Sequence, residues 1–347
     1  MLMKNNFFKK RAEKSFIQDK NIEANFPKNC LIELTNACNH QCIFCANPKM
    51  QRGITRIDMN LYKDFLKNAV KNGLEELGLY TTGEPFMTKN LDEFIELAKN
   101  LGVKRVYITT NGSLATLEKV KTCIEKGLDS IKFSINGGSR ETYKFIHGKD
   151  DFDTVMKNVK DIYNYITKNH KKIQLLCSFV TTKITEKEVP EFKRLYSKFF
   201  EDIMVTPTFN QGGRIDGDSF NKGKDKKEVV LTDKEIKSAK PCDYLWERIV
   251  LTAEGNLTAC CGDFENDLIY SKYDPKENLT KQYNSESIKF LRKKHLSKNL
   301  DNTICKNCVF NTNEKFEKLQ NIDYKKQNLN KKKIDHLKNR IDLINTK

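Results

Sequence analysis

The chain has 347 residues, and its 62 lysines and arginines outnumber its 46 aspartates and glutamates, which gives a formal net charge of +16. A hydrophobic content of 38% suffices for a core of moderate size, and no stretch approaches the roughly 20 apolar residues that cross a bilayer. The basic N-terminal stretch lacks the apolar segment of a signal peptide. We therefore expect a cytoplasmic protein without a membrane span.

The excess of positive charge favours an acidic partner without identifying it. Nucleic acid is one such partner. A phosphorylated or nucleotide-linked small molecule, or an acidic electron donor such as flavodoxin or ferredoxin, is another. A lysine-rich solvated surface gives the same composition with no partner at all.

The predicted elements begin after a polar, basic extension over residues 1–28. Short runs rich in β-branched residues then alternate with helical patterns. Six strands are predicted, at Cys30–Leu34, Leu77–Tyr80, Arg105–Thr109, Ser130–Ile135, Ile173–Val180 and Ile203–Thr206. One helix opens at Asp58 as N-cap and buries Leu61, Phe65, Ala69 and Val70, and others cover 90–101, 115–126, 152–169 and 186–200.

Strands that alternate with helices favour parallel βαβ units, so the predicted fold class is α/β. In such folds the ligand lies at the carboxyl ends of the strands. Residues 213–240 are rich in glycine, aspartate and lysine and are predicted to be a linker. A cysteine-bearing α+β module follows over 241–312. The tail, 313–347, is basic and helical, with an apolar stripe of Ile334, Leu337, Ile341 and Ile344 that is too short for a coiled coil.

The eleven cysteines are expected to be reduced thiols, either packed in the core or bound to metal. Cys30, Cys123 and Cys177 fall within predicted strands or helices and are predicted to be packing residues. Cys38, Cys42 and Cys45 instead share one loop directly after the first strand. Three thiolates hold three corners of an iron–sulfur cubane and leave the fourth iron open to a small molecule. A zinc site that also uses His40 is the alternative.

This spacing, with the aromatic Phe44 before the last cysteine, resembles the CxxxCxΦC motif of the radical S-adenosylmethionine (SAM) superfamily. The resemblance implies a [4Fe–4S] cluster on Cys38, Cys42 and Cys45 whose unique iron is chelated by SAM. It also implies reductive cleavage of SAM to methionine and a 5′-deoxyadenosyl radical. The implied fold of residues 29–212 is a partial (β/α)6 barrel.

Three later segments, each at the carboxyl end of a predicted strand, are similar to further motifs of that family. Residues 82–85 (TGEP) resemble its GGEP segment, which implies that Thr82, Gly83 and Glu84 lie at the methionine end of SAM. Residues 109–112 (TTNG) resemble its TNG turn. Residues 134–137 (SING) resemble its S-x-D-G segment, which implies that Ser134 and Asn136 lie near the cofactor, with an uncharged asparagine in place of the common aspartate.

A second set of cysteines is Cys242, Cys260 and the CxxC pair Cys305 and Cys308. Four such thiolates fit a cluster or a zinc ribbon on chemistry alone. The spacing C-x12-G-x4-C with a distant CxxC resembles the SPASM or twitch extension of radical SAM enzymes. The resemblance implies one fully ligated auxiliary [4Fe–4S] cluster that transfers electrons. Cys261 is the alternative to Cys260.

The resemblance implies an oxidoreductase that abstracts a hydrogen atom from a small molecule. Dehydrogenation or epimerisation of a sugar- or cyclitol-type substrate is the leading hypothesis. The alternatives are maturation of a ribosomal peptide or protein and, in another class, nucleic-acid binding through two zinc sites. Trp246 is predicted to lie in the core of the second module. Arg140 and His147 face either the active site or, at least as readily, solvent.

Overall fold

The structure is a computed structural model that describes residues 20–215, 220, 236, 238–322, 324 and 326–345. Most of the predicted linker and residues 1–19 of the predicted extension therefore lie outside the described residues. In the described part, no helix has the length and apolar character needed to cross a bilayer.

Six parallel strands form the main sheet, in the order β6-β5-β4-β3-β2-β1. They are β1 Asn29–Ile32, β2 Glu76–Gly78, β3 Arg105–Thr110, β4 Ser130–Ser134, β5 Gln174–Thr181 and β6 Asp202–Pro207. All six predicted strands are present, and every neighbouring pair among them is parallel. The predicted α/β class and the partial barrel are confirmed.

Helices connect these strands. They are α1 Met59–Lys71, α2 Leu91–Asn100, α3 Leu117–Glu125, α4 Arg140–His147, α5 Phe152–Lys168 and α6 Val189–Tyr196. The predicted N-cap of α1 is confirmed, because the Asp58 carboxylate accepts from the backbone N–H groups of Asn60 and Leu61. Its apolar face is rotated from the prediction. Tyr62 and Leu66 are buried beside Phe65 and Ala69, whereas Leu61 and Val70 are only half-buried.

The sheet continues beyond β1 into the second cysteine module. The added strands are β7 Arg248–Leu251, β8 Asn256–Thr258 and β9 Ile269–Lys272, and the helices of this part are α7 Tyr244–Glu247, α8 Leu279–Tyr283, α9 Glu286–Leu296 and α10 Ile304–Phe310. Strand β7 is parallel to β1, and β8 and β9 are antiparallel. The two modules therefore share one nine-stranded sheet, and the predicted boundary between them stays a prediction.

The two faces of the barrel sheet differ in burial. Along β3, Val106, Ile108 and Thr110 are buried, whereas Arg105, Tyr107 and Thr109 are only partly buried. Alternate residues of a strand point to opposite faces. Val106 and Ile108 of the buried set pack with the helices in the main core. The partly buried set faces the inside of the barrel, which we call the lumen.

The last helix, α11 Lys331–Asn345, packs on the body of the protein. Leu337 is completely buried, Ile341 is partly buried against the same apolar cluster, and Ile334 is partly exposed. The side chain of Ile344 lies outside the described residues. The apolar stripe predicted in the tail thus covers part of the chain itself.

Candidate functional site

Cys38, Cys42 and Cys45 lie on one loop, residues 35–50, at the carboxyl end of β1; we call it the three-cysteine loop. Its backbone is fixed to the end of α4, because the N–H of Gln41 donates to the carbonyl of His147 at 2.9 Å and that of Ile43 to Ile146 at 3.0 Å. All three thiols are free and partly buried. The loop therefore presents its sulfurs where an α/β barrel binds its ligand.

Electrostatic interactions between the three thiols indicate that their sulfur atoms lie close together. Burial raises the pKa of Cys38 to about 12 and that of Cys45 to about 11. Burial also raises the pKa of Cys42, and negative charge on Cys45 and Cys38 raises it further. Thiols held protonated in this way become thiolates when a metal replaces their protons. The donor set therefore fits a cluster with three thiolate ligands.

Gly83 packs against the start of this loop. A Cβ atom on Gly83 would lie 2.3 Å from the carbonyl oxygen of Thr35 and 2.6 Å from that of Ala37, so no other residue fits. The next residue, Glu84, donates its N–H to the Ala37 carbonyl at 2.8 Å. The TGEP segment is thus hydrogen-bonded directly to the three-cysteine loop.

The Glu84 side chain is buried and connects the turns that follow β2 and β3. Its carboxylate accepts from the Thr110 hydroxyl at 2.7 Å, the Asn111 N–H at 2.8 Å and the Phe86 N–H at 3.1 Å. The Asn111 side chain continues to Asn39 of the three-cysteine loop at 2.8 Å. Protein donors already occupy much of this carboxylate, and its contact with SAM stays a prediction.

Thr82 belongs to a second buried network centred on Arg52. The Thr82 hydroxyl donates to Glu33, and its carbonyl accepts from the Asn47 side chain at 2.8 Å. Arg52 is 1% exposed and pairs with Glu33 at 2.7 Å and with Glu254 at 2.9 Å. This arginine, which the sequence analysis did not select, joins the barrel to the second cysteine module.

Ser134 is the last residue of β4, and Asn136 lies two residues further along the chain. The Ser134 hydroxyl lies 3.3 Å from that of Ser178 on β5. The Asn136 amide oxygen accepts from the Val180 N–H at 2.8 Å, and its amide nitrogen lies 3.3 Å from Nε2 of His147. Both side chains therefore brace the ends of β4 and β5, and their contacts with a cofactor stay predictions.

His147 and Arg140 lie at opposite ends of α4 and have different environments. Arg140 faces solvent and pairs with Asp150 at 2.8 Å. His147 is 1% exposed, so the solvent-facing alternative is wrong for this residue. It faces inward because α4 packs its apolar side, including Tyr143 and Ile146, on the core.

The buried imidazole of His147 contacts the three-cysteine loop. Its Nδ1 lies 3.5 Å from Sγ of Cys42 and 3.1 Å from Nδ1 of His40, whose Nε2 lies 3.0 Å from Asp151. His40, Cys42 and His147 bring three possible metal-ligating atoms within 4.8 Å of one another. Burial and the charge of His40 lower the pKa of His147, so its imidazole is neutral at pH 7.

Phe44 does not line an open space. Its ring is buried with Ile43, Ile146 and Leu337 in a small apolar cluster. Its carbonyl accepts from Nε2 of Gln211 at 3.0 Å, and Oε1 of Gln211 accepts from the Ala46 N–H at 3.0 Å. One side-chain amide thus clamps the loop on both sides of Cys45.

The second set of cysteines also converges. Cys305 and Cys308 lie three residues apart on α10, which places them on one face of the helix. Burial raises the pKa of Cys242 to about 11, and charge on Cys308 and Cys261 raises it further. Burial, followed by charge on Cys242 and Cys308, raises the pKa of Cys305.

Cys260 and Cys261 both lie next to this group. The thiol of Cys260 accepts from the Gly262 N–H at 3.3 Å. Its hydrogen bond with Cys261 lowers the pKa of Cys261, and Arg248 lowers it further. The choice of Cys260 over Cys261 as a ligand stays a prediction. Among the remaining cysteines, Cys30, Cys123 and Cys177 are buried, as predicted for packing residues.

Three residues that contact the three-cysteine loop or its neighbours were not predicted from the sequence: Arg52, Gln211 and Arg340. Gln211 stands beside two glycines just after β6, at the carboxyl edge where ligand-side residues were expected. Arg340 interrupts the apolar stripe of the tail between Leu337 and Ile341. A polar residue inside an otherwise apolar stripe is a usable sequence signal.

Trp246 is buried as predicted, and its indole N–H donates to the carbonyl of Asn21 at 2.7 Å.

Known proteins resemble this chain in the part that carries the three-cysteine loop. Residues 32–195 match the family model of the radical SAM superfamily. The chain is 34% identical over 178 residues to an uncharacterised protein of Methanocaldococcus jannaschii, which covers 50% of this chain and 55% of that protein. It is 32% identical over 168 residues to a probable GTP 3′,8-cyclase of Saccharolobus islandicus, which covers 47% and 51% of the two chains. The chain thus spans about half the length of the curated relatives it matches.

Two solved structures share the fold over most of both chains. BtrN in complex with AdoMet and 2-DOIA matches with a TM-score of 0.54 and 16% identity, covering 84% of this chain and 97% of BtrN. Streptococcus suis SuiB bound to the precursor peptide SuiA matches with a TM-score of 0.59 and 14% identity, covering 90% and 80%. The family of these motifs uses a [4Fe–4S] cluster and SAM. Residues 32–195 of this chain are a domain of the radical SAM superfamily.

Proposed function

We propose that this protein is a radical SAM oxidoreductase that acts on a small, phosphorylated sugar- or cyclitol-type substrate in the cytoplasm. The observation that carries the proposal is the convergence of three thiols at the carboxyl end of a barrel whose lumen is polar and partly open. Cys38, Cys42 and Cys45 would hold the cluster that binds SAM. When bound, this cofactor pair supplies a 5′-deoxyadenosyl radical that removes a hydrogen atom from the substrate.

The residues around the loop have clear supporting tasks in this proposal. Gly83 allows the TGEP backbone to approach the loop, and Glu84 holds the turns after β2 and β3 against it. Gln211 fixes the backbone on either side of Cys45. These contacts pre-organise the thiols before any cofactor enters, as a precise metal site requires.

The lumen supports a negatively charged substrate. Lys132 on β4 is partly buried and pairs in register with Thr109 and Leu176, so it faces the lumen. Its Nζ lies 6.0 Å from the centre of the Tyr80 ring. Among the described residues no carboxylate forms an ion pair with Lys132, whereas Glu33 in the lumen is already paired with Arg52. A cation held in this way suits a phosphate or carboxylate group.

The relatives favour a phosphorylated substrate among the anionic ones. A probable GTP 3′,8-cyclase, by its name, acts on a nucleoside triphosphate, and it is 32% identical to this chain over 168 residues. We therefore propose that Lys132 binds a phosphate of the sugar- or cyclitol-type substrate.

In the proposed oxidation the substrate loses a hydrogen atom to the radical, then one proton and one electron. Cys242, Cys260, Cys305 and Cys308 would hold the auxiliary cluster that accepts this electron. An acidic one-electron donor such as flavodoxin or ferredoxin would supply the electron that starts each turnover, in keeping with the net charge of +16.

Iron content tests the proposal most directly. The protein is purified without oxygen, reconstituted with iron and sulfide, and compared with a variant in which Cys38, Cys42 and Cys45 are alanine. We expect about eight irons per chain in the wild type and about four in the variant. Cleavage of SAM by dithionite-reduced protein is expected to disappear with the lost iron. Zinc in place of iron, or cleavage retained in the variant, contradicts the proposal.

Product analysis separates the competing reactions on this scaffold. A dehydrogenase product has two hydrogen atoms fewer than the substrate. An epimerase product has the mass of the substrate when the reaction runs in ordinary water, and it contains one deuterium when the reaction runs in heavy water. A peptide maturase gives neither change in sugar phosphates and requires a peptide for substrate-dependent deoxyadenosine formation.

A further inference from the structure

The last helix places a buried arginine directly over the three-cysteine loop. Leu337 of α11 is completely buried beside Ile43, Phe44 and Ile146. One turn further along, Arg340 is only 6% exposed. The helix therefore carries a guanidinium group into the apolar layer that covers this loop.

Arg340 holds two backbone segments together. Its Nη2 donates to the carbonyl of Gln41 at 2.7 Å, and its Nη1 donates to the carbonyl of Phe145 at 2.8 Å. The guanidinium lies on Gly148, where a Cβ atom would stand 2.6 Å from both Nη atoms. The guanidinium is thus held between two backbone carbonyls and a glycine that leaves room for it.

Among the described residues, the charge of this guanidinium has no carboxylate counter-ion. Within the described part of the chain no carboxylate forms an ion pair with Arg340, and its buried Nε finds no hydrogen-bond partner. Two neutral carbonyls compensate a buried cation only in part, and an uncompensated buried charge is strongly unfavourable. Burial accordingly lowers the pKa of Arg340, and charge on Cys42 opposes that shift.

The three-cysteine loop next to Arg340 can supply the missing negative charge through its thiols. Arg340 donates to the carbonyl of Gln41, the residue directly before Cys42, and Cys42 is one of three thiols proposed to ligate the first cluster. Three thiolates around a [4Fe–4S] core give that group a net negative charge. We infer that Arg340 is the buried counter-ion of the cluster on Cys38, Cys42 and Cys45 and makes that cluster easier to reduce.

This inference rests on the proposed function, since it requires the cluster to be present. Reduction adds one electron, taken from the external donor, and so adds one negative charge next to Arg340. A fixed positive charge in a weakly polarisable surrounding stabilises the reduced form more than the oxidised form. Arg340 is a positioning residue, because it acts on the cluster through charge and loop geometry and contacts no substrate.

The test is a redox titration of the reconstituted protein followed by electron paramagnetic resonance. The signal that changes when SAM is added identifies the first cluster. We expect Arg340→Gln to shift its midpoint potential to a more negative value. Lys338→Gln, which removes one positive charge from an exposed position on the same helix, is expected to shift it much less. An Arg340→Gln protein with its full iron content and the potential of the Lys338→Gln control would overturn the inference.

Arg340→Lys keeps the test informative if the glutamine variant takes up too little iron. Lysine keeps the charge and loses the two-pronged contact, so its potential is expected to stay near that of the wild type. A large negative shift in this variant would assign the effect to hydrogen bonding and overturn the counter-ion role. Failure of the proposed function is distinguishable, because the wild type itself would then lack the SAM-sensitive signal.

Discussion

Nδ1 of His147 lies 3.5 Å from Sγ of Cys42, and the backbone fixes which ring nitrogen carries the proton. The N–H of Asn136 donates to Nε2 of His147 at 3.3 Å, so Nε2 is the acceptor. In a neutral imidazole the proton is then on Nδ1, where it is available to the Cys42 sulfur or to His40. A proton donor at this sulfur stabilises a thiolate ligand.

We expect His147→Phe to weaken the first cluster without abolishing it. The ring fills the same space, but the donor to Cys42 is lost. The measurement is the rate at which a chelator removes iron from the reconstituted protein, with an expected increase of about tenfold from the loss of one charge-assisted hydrogen bond. Tyr143→Phe is the control, because it removes only a hydroxyl from the ring stacked 4.0 Å from His147. Equal release rates in the two variants would contradict this role.

Arg52→Met is expected to destabilise the protein by roughly 3–5 kcal/mol, because it leaves the buried Glu33 carboxylate without its partner. The measurement is the free energy of unfolding in denaturant. The control is Arg56→Met, an exposed arginine four residues away, with an expected change within about 0.5 kcal/mol. Adding Glu33→Gln to Arg52→Met is expected to recover part of the loss. The single variant Glu33→Gln completes the comparison. If the loss of unfolding free energy in the double variant equals the sum of the losses in the two single variants, the two residues are not coupled.

Gly83→Ala is expected to displace the three-cysteine loop. The new methyl group would stand 2.3 Å from the Thr35 carbonyl oxygen, so one of the two backbones must move. We expect iron to fall from about eight toward about four per chain, with the auxiliary cluster retained. Full iron content with unchanged SAM cleavage would show that the loop accommodates the methyl group.

Lys132→Met is expected to raise the KM for a phosphorylated substrate by about 10- to 100-fold, the cost of one charge-assisted hydrogen bond. Cleavage of SAM without substrate is expected to be unaffected, since Lys132 contacts neither the three-cysteine loop nor the TGEP segment in the described structure. Lys157→Met serves as the control, because Lys157 is exposed on α5 and pairs with Asp161. An unchanged KM for Lys132→Met would contradict the proposal that Lys132 binds a phosphate of the substrate.

Local sequence patterns accounted for most of the barrel. Alternation of strands and helices identified all six parallel strands, and Asp58 was recognisable as an N-cap because capping depends on residues three positions apart. The same patterns did not predict α4 or the strands β7–β9. The buried face of α4 has only two apolar residues, Tyr143 and Ile146, and β8 buries polar residues on both sides of Leu257, so neither element shows a clear hydrophobic pattern.

The candidate site was predictable only in part, for a related reason. The cysteines that converge are recognisable by spacing within a few residues. Their supports are not, because Gln211 contacts Phe44 from 167 positions away and Arg340 contacts Gln41 from 299 positions away. Such contacts depend on the complete fold. The sequence therefore marks Gln211 and Arg340 at most as unusual positions, and only the tertiary arrangement shows what they contact.

The position of β1 inside the sheet has a consequence for how the chain is divided experimentally. Strand β1 hydrogen-bonds to β2 on one edge and to β7 on the other, and β7 begins only at Arg248. A fragment that ends at residue 212 would therefore leave one edge of β1 unpaired. Unpaired strand edges associate with other chains. We expect such a fragment to aggregate even though it contains every motif of the radical SAM domain, whereas a fragment that extends through β9 keeps that edge protected.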